Sequence, residues 1–501
     1  MASSELGAFL AEVSSELGAF LAKSSSELCK ILAKVSSELE IILYICTGDQ
    51  EISKMIERSI LKELERWKRS DHRKPLVLRG ARQVGKTTVV NEFGKTYDHY
   101  LYFNLEDEST RDIFERNLPL NDKISLLYAT QGKTIGQGST LFFIDEIQNS
   151  PKTIALLRYF YEKRPDIHVI SAGSLLENVV DLQVSFPVGR VQYLALHPCS
   201  FREFVTAVGK SHLLQIMDKP ELTTSIHHEL MSLFNQYTIV GGMPEAMQRY
   251  AESGDILAQD DVYNTLLLAY RDDVEKYVRK DKLQTVVRYI LTYGWGSAGE
   301  RITFSHFMES PYSSKEVGDA FRLLEKSMLL ELVYPTASTQ LPTFPQLRRS
   351  PKLIWLDTGL VNYAAGIRKE VIGSKDIMDV WRGRLGEQIV AQELRTLRSQ
   401  LSAVRNYWAR DKKDSSAEVD YVWSTDSQLF PIEVKTGHNS SLRSLHSFME
   451  DAPTNIAVRI WSGPFSVDNV STVTGKRPFK LINLPFYLIG NMEQIIRAQS
   501  L

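Results

Sequence analysis

The chain has 501 residues, 43% of them hydrophobic and 24% charged, and 59 Lys+Arg against 61 Asp+Glu leave a net charge of -2. That length exceeds one core and implies several domains. The composition excludes wholesale disorder, and the charge balance excludes a general polyanion-coating protein while leaving room for a local basic groove.

The cysteines Cys29, Cys46 and Cys199 have no paired spacing, which excludes a disulfide framework and a cysteine-based zinc site and suits a reducing cytoplasm. Apolar runs such as 41–45 and 141–144 are strand-sized, far from the roughly 18–20 residues of a membrane span. No basic segment precedes an apolar one at the start, so no secretory signal is read there. The expectation is a cytoplasmic protein with no membrane partner.

In chain order, Ser-Ser-Glu-Leu begins at Ser3, Ser14, Ser25 and Ser36, eleven residues apart. Leu6, Phe9, Leu10 and Val13 fall on one helical face, and an eleven-residue period favours a right-handed supercoil. One reading is a short oligomerising helix. Against it, the serine pairs with Gly7 and Gly18 weaken a helix, and the first two units are nearly identical, as tandem duplication leaves them. Residues 1–54 then stand outside the native protein, with Met55 as its start. An amphipathic helix follows at 56–67.

Residues 75–88 read as a buried strand, a glycine loop and a helix start, matching G-x-x-x-x-G-K-T at Gly80, Gly85, Lys86 and Thr87. Backbone N–H groups across Gly80, Ala81, Arg82, Gln83, Val84, Gly85, Lys86, Thr87 and Thr88 close around phosphate oxygens at the positive end of the helix. Lys86 reaches the β- and γ-phosphates, and Thr87 ligates Mg²⁺. A second apolar strand, 140–144, ends in Asp145 and Glu146. Asp145 is placed to hold the magnesium and Glu146 to polarise the attacking water. The strand 167–174 ends in Ser171 and Ser174, hydroxyls that either contact the γ-phosphate or cap the next helix. Arg190 is read either as a transition-state cation, in cis or from a neighbouring subunit, or as a surface arginine.

These motifs carry a resemblance. Arg-Gly-Ala-Arg-Gln-Val-Gly-Lys-Thr, Ile-Asp-Glu-Ile-Gln, Ser-Ala-Gly-Ser, His197-Pro-Cys-Ser-Phe-Arg-Glu-Phe, Val240-Gly-Gly-Met-Pro-Glu-Ala and Trp355-Leu-Asp-Thr-Gly-Leu are similar to those of bacterial and archaeal AAA+ ATPases ending in a DUF4143 domain. The match runs from about 55 to near 490. The resemblance implies ATP rather than GTP as ligand, a STAND-like relationship and a tendency to form homo-oligomers.

Beyond the core, 196–280 reads as a helical lid broken at Gly241-Gly242-Met243-Pro244. The segment 281–345 is winged-helix-like. Its helix at 313–326 turns Val317, Phe321 and Leu324 inward and Lys315, Arg322 and Lys326 outward. Such a helix can meet DNA, whereas Glu316, Asp319 and Glu325 on the same helix favour a spacer or a protein dock.

From 346 to 501 the pattern resembles the PD-(D/E)xK nuclease fold. Glu387 opens a helix, Asp420 lies on one strand, and Glu433 and Lys435 lie on the next. Asp420 and Glu433 would hold Mg²⁺ while Lys435 steadies the attacking water. The expected fold class is α/β: a P-loop parallel sheet with helical lid, a winged-helix-like middle and a restriction-endonuclease-like end. ATP and Mg²⁺ are the expected cofactors. Two functions follow, an ATPase acting on DNA through the last two domains, or a nucleotide-controlled switch whose C-terminal domain binds a protein without cleavage.

Overall fold

The computed structural model describes residues 56–173, 186–187, 189–219, 222–277, 281–367, 384–401, 405–411, 417–435 and 442–500. The eleven-residue repeat and Ser174 lie outside the described residues. Every element below falls within the unit Ile56–Leu501, and among the described residues no helix is long and apolar enough to cross a membrane.

Helix α1 (Ile60–Lys68) buries Ile60, Leu64 and Trp67 at helical spacing. Strands β1 (Leu76–Arg79), β2 (His99–Asn104), β3 (Thr140–Asp145), β4 (Ile167–Gly173) and β5 (Gln192–Ala195) form a sheet in the order β2-β3-β4-β1-β5. Every pair is parallel. A parallel sheet is covered on both faces, so its strands are apolar throughout, and all six residues of β3 are buried. Leu141 and Phe143 pack with α1 and α2 (Lys86–Gly94), through Leu64, Val89 and Phe93. Phe142 and Ile144 pack on the other face, where α3 (Glu108–Glu115), α4 (Leu120–Thr130) and α5 (Pro151–Lys163) supply Phe114, Leu127 and Leu157.

Five helices follow: α6 (Phe201–Ala207), α7 (His212–Met217), α8 (Thr224–Val240), α9 (Pro244–Ser253) and α10 (Asp260–Tyr277). Ser200 and Glu203 cap α6 reciprocally. Between α8 and α9 the chain turns at Gly241, with φ of 75°. A Cβ on Gly242 would lie 2.3 Å from the Cys199 carbonyl oxygen, so only glycine fits there.

Helices α11 (Asp281–Tyr293) and α12 (Ser314–Lys326) precede strands β6 (Leu330–Thr336) and β7 (Lys352–Trp355). These two pair antiparallel, and β6 also pairs parallel with β8 (Asn406–Ala409). The hairpin is thus the edge of a second sheet, completed by β9 (Glu418–Thr425), β10 (Gln428–Lys435), β11 (Ile456–Trp461), β12 (Ser466–Ser471) and β13 (Pro478–Pro485). Its order is β12-β13-β11-β10-β9-β8-β6-β7. The boundary expected between 345 and 346 falls inside the β6–β7 connection, and both strands belong to the C-terminal sheet.

Helices α13 (Thr358–Ala364), α14 (Arg384–Thr396), α15 (Arg443–Asp451) and α16 (Met492–Ser500) complete the chain. Apolar Ile389, Val390 and Leu394 of α14 pack with Tyr407, Tyr421 and Phe430 of the sheet. Its other buried face is polar. Gln388 accepts from Trp355 N–H at 2.9 Å and donates to Trp355 C=O at 2.8 Å. Glu393 Oε1 accepts from Phe201 N–H at 3.0 Å and from Tyr237 O–H at 2.7 Å. Arg395 and Arg405 converge on Glu331, and although burial alone would raise that carboxyl, the two guanidinium groups hold it down to about 2.

Trp355 is fully buried and stacks on Trp295 with ring centroids 3.8 Å apart. Replacing Trp355 with alanine removes this stack and opens a cavity, at a cost of about 3–5 kcal/mol. A lowered midpoint in urea-induced unfolding, relative to wild type, is the expected result.

Candidate nucleotide site and C-terminal carboxylate cluster

Between β1 and α2 the loop begins where a side chain has no room. A Cβ on Gly80 would sit 2.5 Å from the Leu196 carbonyl oxygen. Gln83 and Gly85 adopt φ of 63° and 90°, and such left-handed steps gather successive N–H groups into an anion-binding concavity. Ala81 and Val84 are buried, whereas Arg82, Gln83 and Thr88 are exposed. Buried Arg58 donates to Val84 C=O at 2.9 Å and to His197 C=O at 2.6 Å while pairing with Glu203 at 3.2 Å. From the other side Arg82 pairs with Asp273 of α10, and Tyr270 O–H donates to Arg82 C=O at 3.4 Å. Arg58, ahead of α1, and helix α10 therefore hold the loop from two sides.

Lys86 is 7% exposed, and its ammonium donates to the carbonyls of Gly80 and Ala81, each at 2.9 Å. Burial pulls it down to about 8, against the opposing pull of Glu146 and Asp145. Thr87 O–H donates to Asp145 Oδ2 at 2.7 Å, and Tyr102 O–H reaches the same oxygen at 3.5 Å. The Thr87 and Asp145 oxygens are the hard donors a magnesium ion takes, so these residues fit that ion. Glu146 stands in a left-handed conformation, φ 51° and ψ 43°. It accepts a hydrogen bond from Gln148, and burial raises its carboxyl. The two carboxylates thus differ, Asp145 bound to the Thr87 hydroxyl and Glu146 turned by Gln148.

Two expected residues sit elsewhere. Ser171 pairs at the level of Val77, before the loop begins, and its buried hydroxyl donates to Leu76 C=O at 3.3 Å. Arg190 lies two residues ahead of β5, whose first residue is level with Leu76 at the opposite end of β1 from the phosphate loop. It is exposed and pairs with Glu162 at 3.2 Å. Arg190 is therefore remote from the loop of its own chain. Arg58, Glu203 and Asp273 were not legible as site residues, although Glu203 belongs to the His197–Phe204 motif. Cys199 in that motif is buried, and its thiol is pushed up to about 12 by burial, which disfavours the thiolate a nucleophile needs.

In the second sheet, Glu433 follows the pair Ile432↔Tyr421, which brings it beside Asp420. Asp420 Oδ2 accepts from Val434 N–H at 2.8 Å, and Lys435 pairs with Glu433 at 2.6 Å. Glu387, Asp420, Glu433 and Lys435 are thus gathered as expected. The centre of the group, however, is Lys352, which carried no expected role. Its ammonium lies 2.7 Å from Glu387, 3.0 Å from Glu418 and 3.1 Å from Asp420. Burial, reinforced by Asp420, raises Glu387 to about 8, and the same causes raise Glu433 to about 7. A magnesium ion needs an open position with oxygens at about 2.0–2.1 Å. Asp420 and Glu433 instead border an ammonium, and the cluster as folded does not fit the metal. Among the described residues no group of His, Cys, Asp and Glu is arranged to hold one. A lone lysine opening an otherwise apolar strand, Lys352-Leu-Ile-Trp, was the available signal for a buried cation.

Residues 72–205 match the family model of an AAA domain, 231–371 a domain of unknown function, DUF8612, and 382–476 a domain of unknown function, DUF4143. No curated protein matches the chain. Among solved structures, a Walker-type ATPase of Pyrococcus abyssi is similar at 13% identity and TM-score 0.38, covering 63% of this chain and 97% of its own. The Orc1 protein of Aeropyrum pernix, solved in complex with DNA, is similar at 14% identity and TM-score 0.28, covering 64% and 95%.

The depressed Lys86 ammonium has a measurable consequence. A phosphate ligand binds the protonated lysine and raises its pKa, so binding at pH 8–9 takes up a proton. Affinity is constant below about 8 and falls by up to about tenfold per pH unit above it, until the bound-state pKa is passed. Calorimetry of nucleotide binding in buffers of different ionisation enthalpy should show this uptake at pH 8–9 and little of it at pH 7, where the free lysine is already protonated.

Proposed function

We propose that this chain, an AAA-domain protein with a C-terminal DUF4143 domain, binds ATP with magnesium on the 80–87 loop and hydrolyses it. The observation that carries the reading is a buried ammonium held by loop carbonyls beside a Thr87–Asp145 pair and a separate, oriented Glu146. Lys86 neutralises phosphate oxygens, and Thr87 and Asp145 hold the magnesium, whose charge offsets that of the phosphates. Glu146, its carboxyl raised by burial and turned by Gln148, orients the attacking water and receives its proton. Arg190 serves a transition state only across a subunit boundary, because it stands at the far end of its own sheet.

Two observations favour a nucleotide-controlled switch over an ATPase coupled to DNA cleavage. Lys352 fills the centre of the C-terminal cluster, so that domain is read as a binding module. On α12 the outward Arg322 is committed to Asp319 and Glu316 to Lys282, which weakens the case for phosphate contacts there.

Glu146→Gln should bind ATP with nearly wild-type affinity and hydrolyse it about 10²–10⁴ times more slowly, whereas Lys86→Ala should lose binding itself. Fluorescent-nucleotide titration and phosphate release measure the two separately. Wild-type turnover in the glutamine variant would remove Glu146 from the mechanism, and absence of ATP binding by the wild type would sink the reading.

A further inference from the structure

The C-terminal spacing of Asp420, Glu433 and Lys435 calls for a metal, yet the folded cluster is built around a side chain. We propose that Lys352 is the resident cation of this cluster, and that the four carboxylates Glu387, Glu418, Asp420 and Glu433 take a divalent cation only when its ammonium is removed. The inference is independent of ATP binding at the other end of the chain.

Lys352 is 2% exposed and opens β7, where its backbone pairs with Val333 and bridges Arg301. Its ammonium stands over the rings of Tyr407 and Tyr421, 5.2 and 5.6 Å from their centroids. A side chain so enclosed cannot swing aside to admit a metal without unpacking the sheet edge. The ammonium carries three N–H donors, and three carboxylates surround it at hydrogen-bonding distance. Two further cations flank the group, Lys435 on Glu433 at 2.6 Å and Arg301 on Glu418 at 2.9 Å. Charge is thereby nearly balanced without any external ion.

Two oxygens of the group take no hydrogen bond: Glu418 Oε2, which only pairs with Arg301, and Oε2 of Glu433, which is 4% exposed. With the ammonium gone, these oxygens and those released on Glu387, Glu418 and Asp420 would form an oxygen-rich, negatively charged cavity. Hard divalent cations favour that donor set.

The test is Mn²⁺ titration of the nucleotide-free full chain, followed by the electron paramagnetic resonance signal of free Mn²⁺. Wild type and Lys352→Arg should bind no more Mn²⁺ than Asp420→Asn, which sets the background from the rest of the molecule. Lys352→Ala should bind an additional ion, about tenfold or more tighter than any wild-type uptake, and Lys352→Ala with Asp420→Asn should lose it. Circular dichroism and melting curves establish that each variant is folded. Wild-type Mn²⁺ binding that Asp420→Asn abolishes would overturn the proposal, as would a folded Lys352→Ala with no extra uptake. Should Lys352→Ala fail to fold, the comparison of wild type with Asp420→Asn still decides.

Discussion

A carboxylate shut away from water must be satisfied by fixed donors, and Asp357 imposes that constraint on this molecule. It is fully buried, and burial lifts its carboxyl to about 6 even though hydrogen bonds from Gly242 and Leu360 oppose the shift. Oδ1 accepts from Leu360 N–H at 2.9 Å, and Oδ2 accepts from Gly242 N–H and from Gln392 at 3.3 Å. One side chain thus caps α13, fixes the turn between α8 and α9, and engages α14. Removing any of these donors would strand a charge in a medium that solvates it poorly. The positions of the α8–α9 turn and of α14 are therefore mutually determined.

Helix α14 extends this logic. Glu387 near its start faces Lys352, while Gln392 and Glu393 farther along bond to Tyr237 of α8 and to the first turn of α6. Lys352 and Asp357 in turn belong to β7 and the residues just after it. The two buried charges are joined through a short extended segment, which has little freedom to change length. The helices after the first sheet, which reach the glycine loop through Asp273 and Tyr270 and through the Glu203–Arg58 pair, and the carboxylate cluster share this framework.

The sequence exposed the parts of this design that are local. A strand, a glycine loop and a helix start are contiguous at 75–88, and Asp145-Glu146 closes an unmistakably apolar strand, so the candidate nucleotide site is legible from spacing. Asp420, Glu433 and Lys435 were likewise legible because alternation along neighbouring strands fixes their face. Arg58, Glu203, Asp273 and Lys352 were not. Each acts on residues far away in the chain, and an arginine or lysine beside a strand or helix start looks solvated until the partner is known. The polar face of α14 was hidden for the same reason. Gln388, Gln392 and Glu393 suggest a surface, and only the opposing backbone of 355–358 and 201 shows that they are interior. For Ser171 and Arg190 the distance from the loop is set by strand register, which places Ser171 level with Val77 and Arg190 ahead of β5.

The β6–β7 hairpin bears on how such a protein can be divided. Its first strand follows α12, its second runs into Asp357, and both form the border of the sheet that carries the carboxylates. Genetic exchange at this point would leave the tail with an unzipped margin and would deprive the acidic residues of their lysine. The matched family regions follow one another in the chain like beads, yet 231–371 supplies the selvedge of the fabric to which 382–476 contributes the weave. Inheritance as a block, rather than by shuffling of parts, is what this architecture permits.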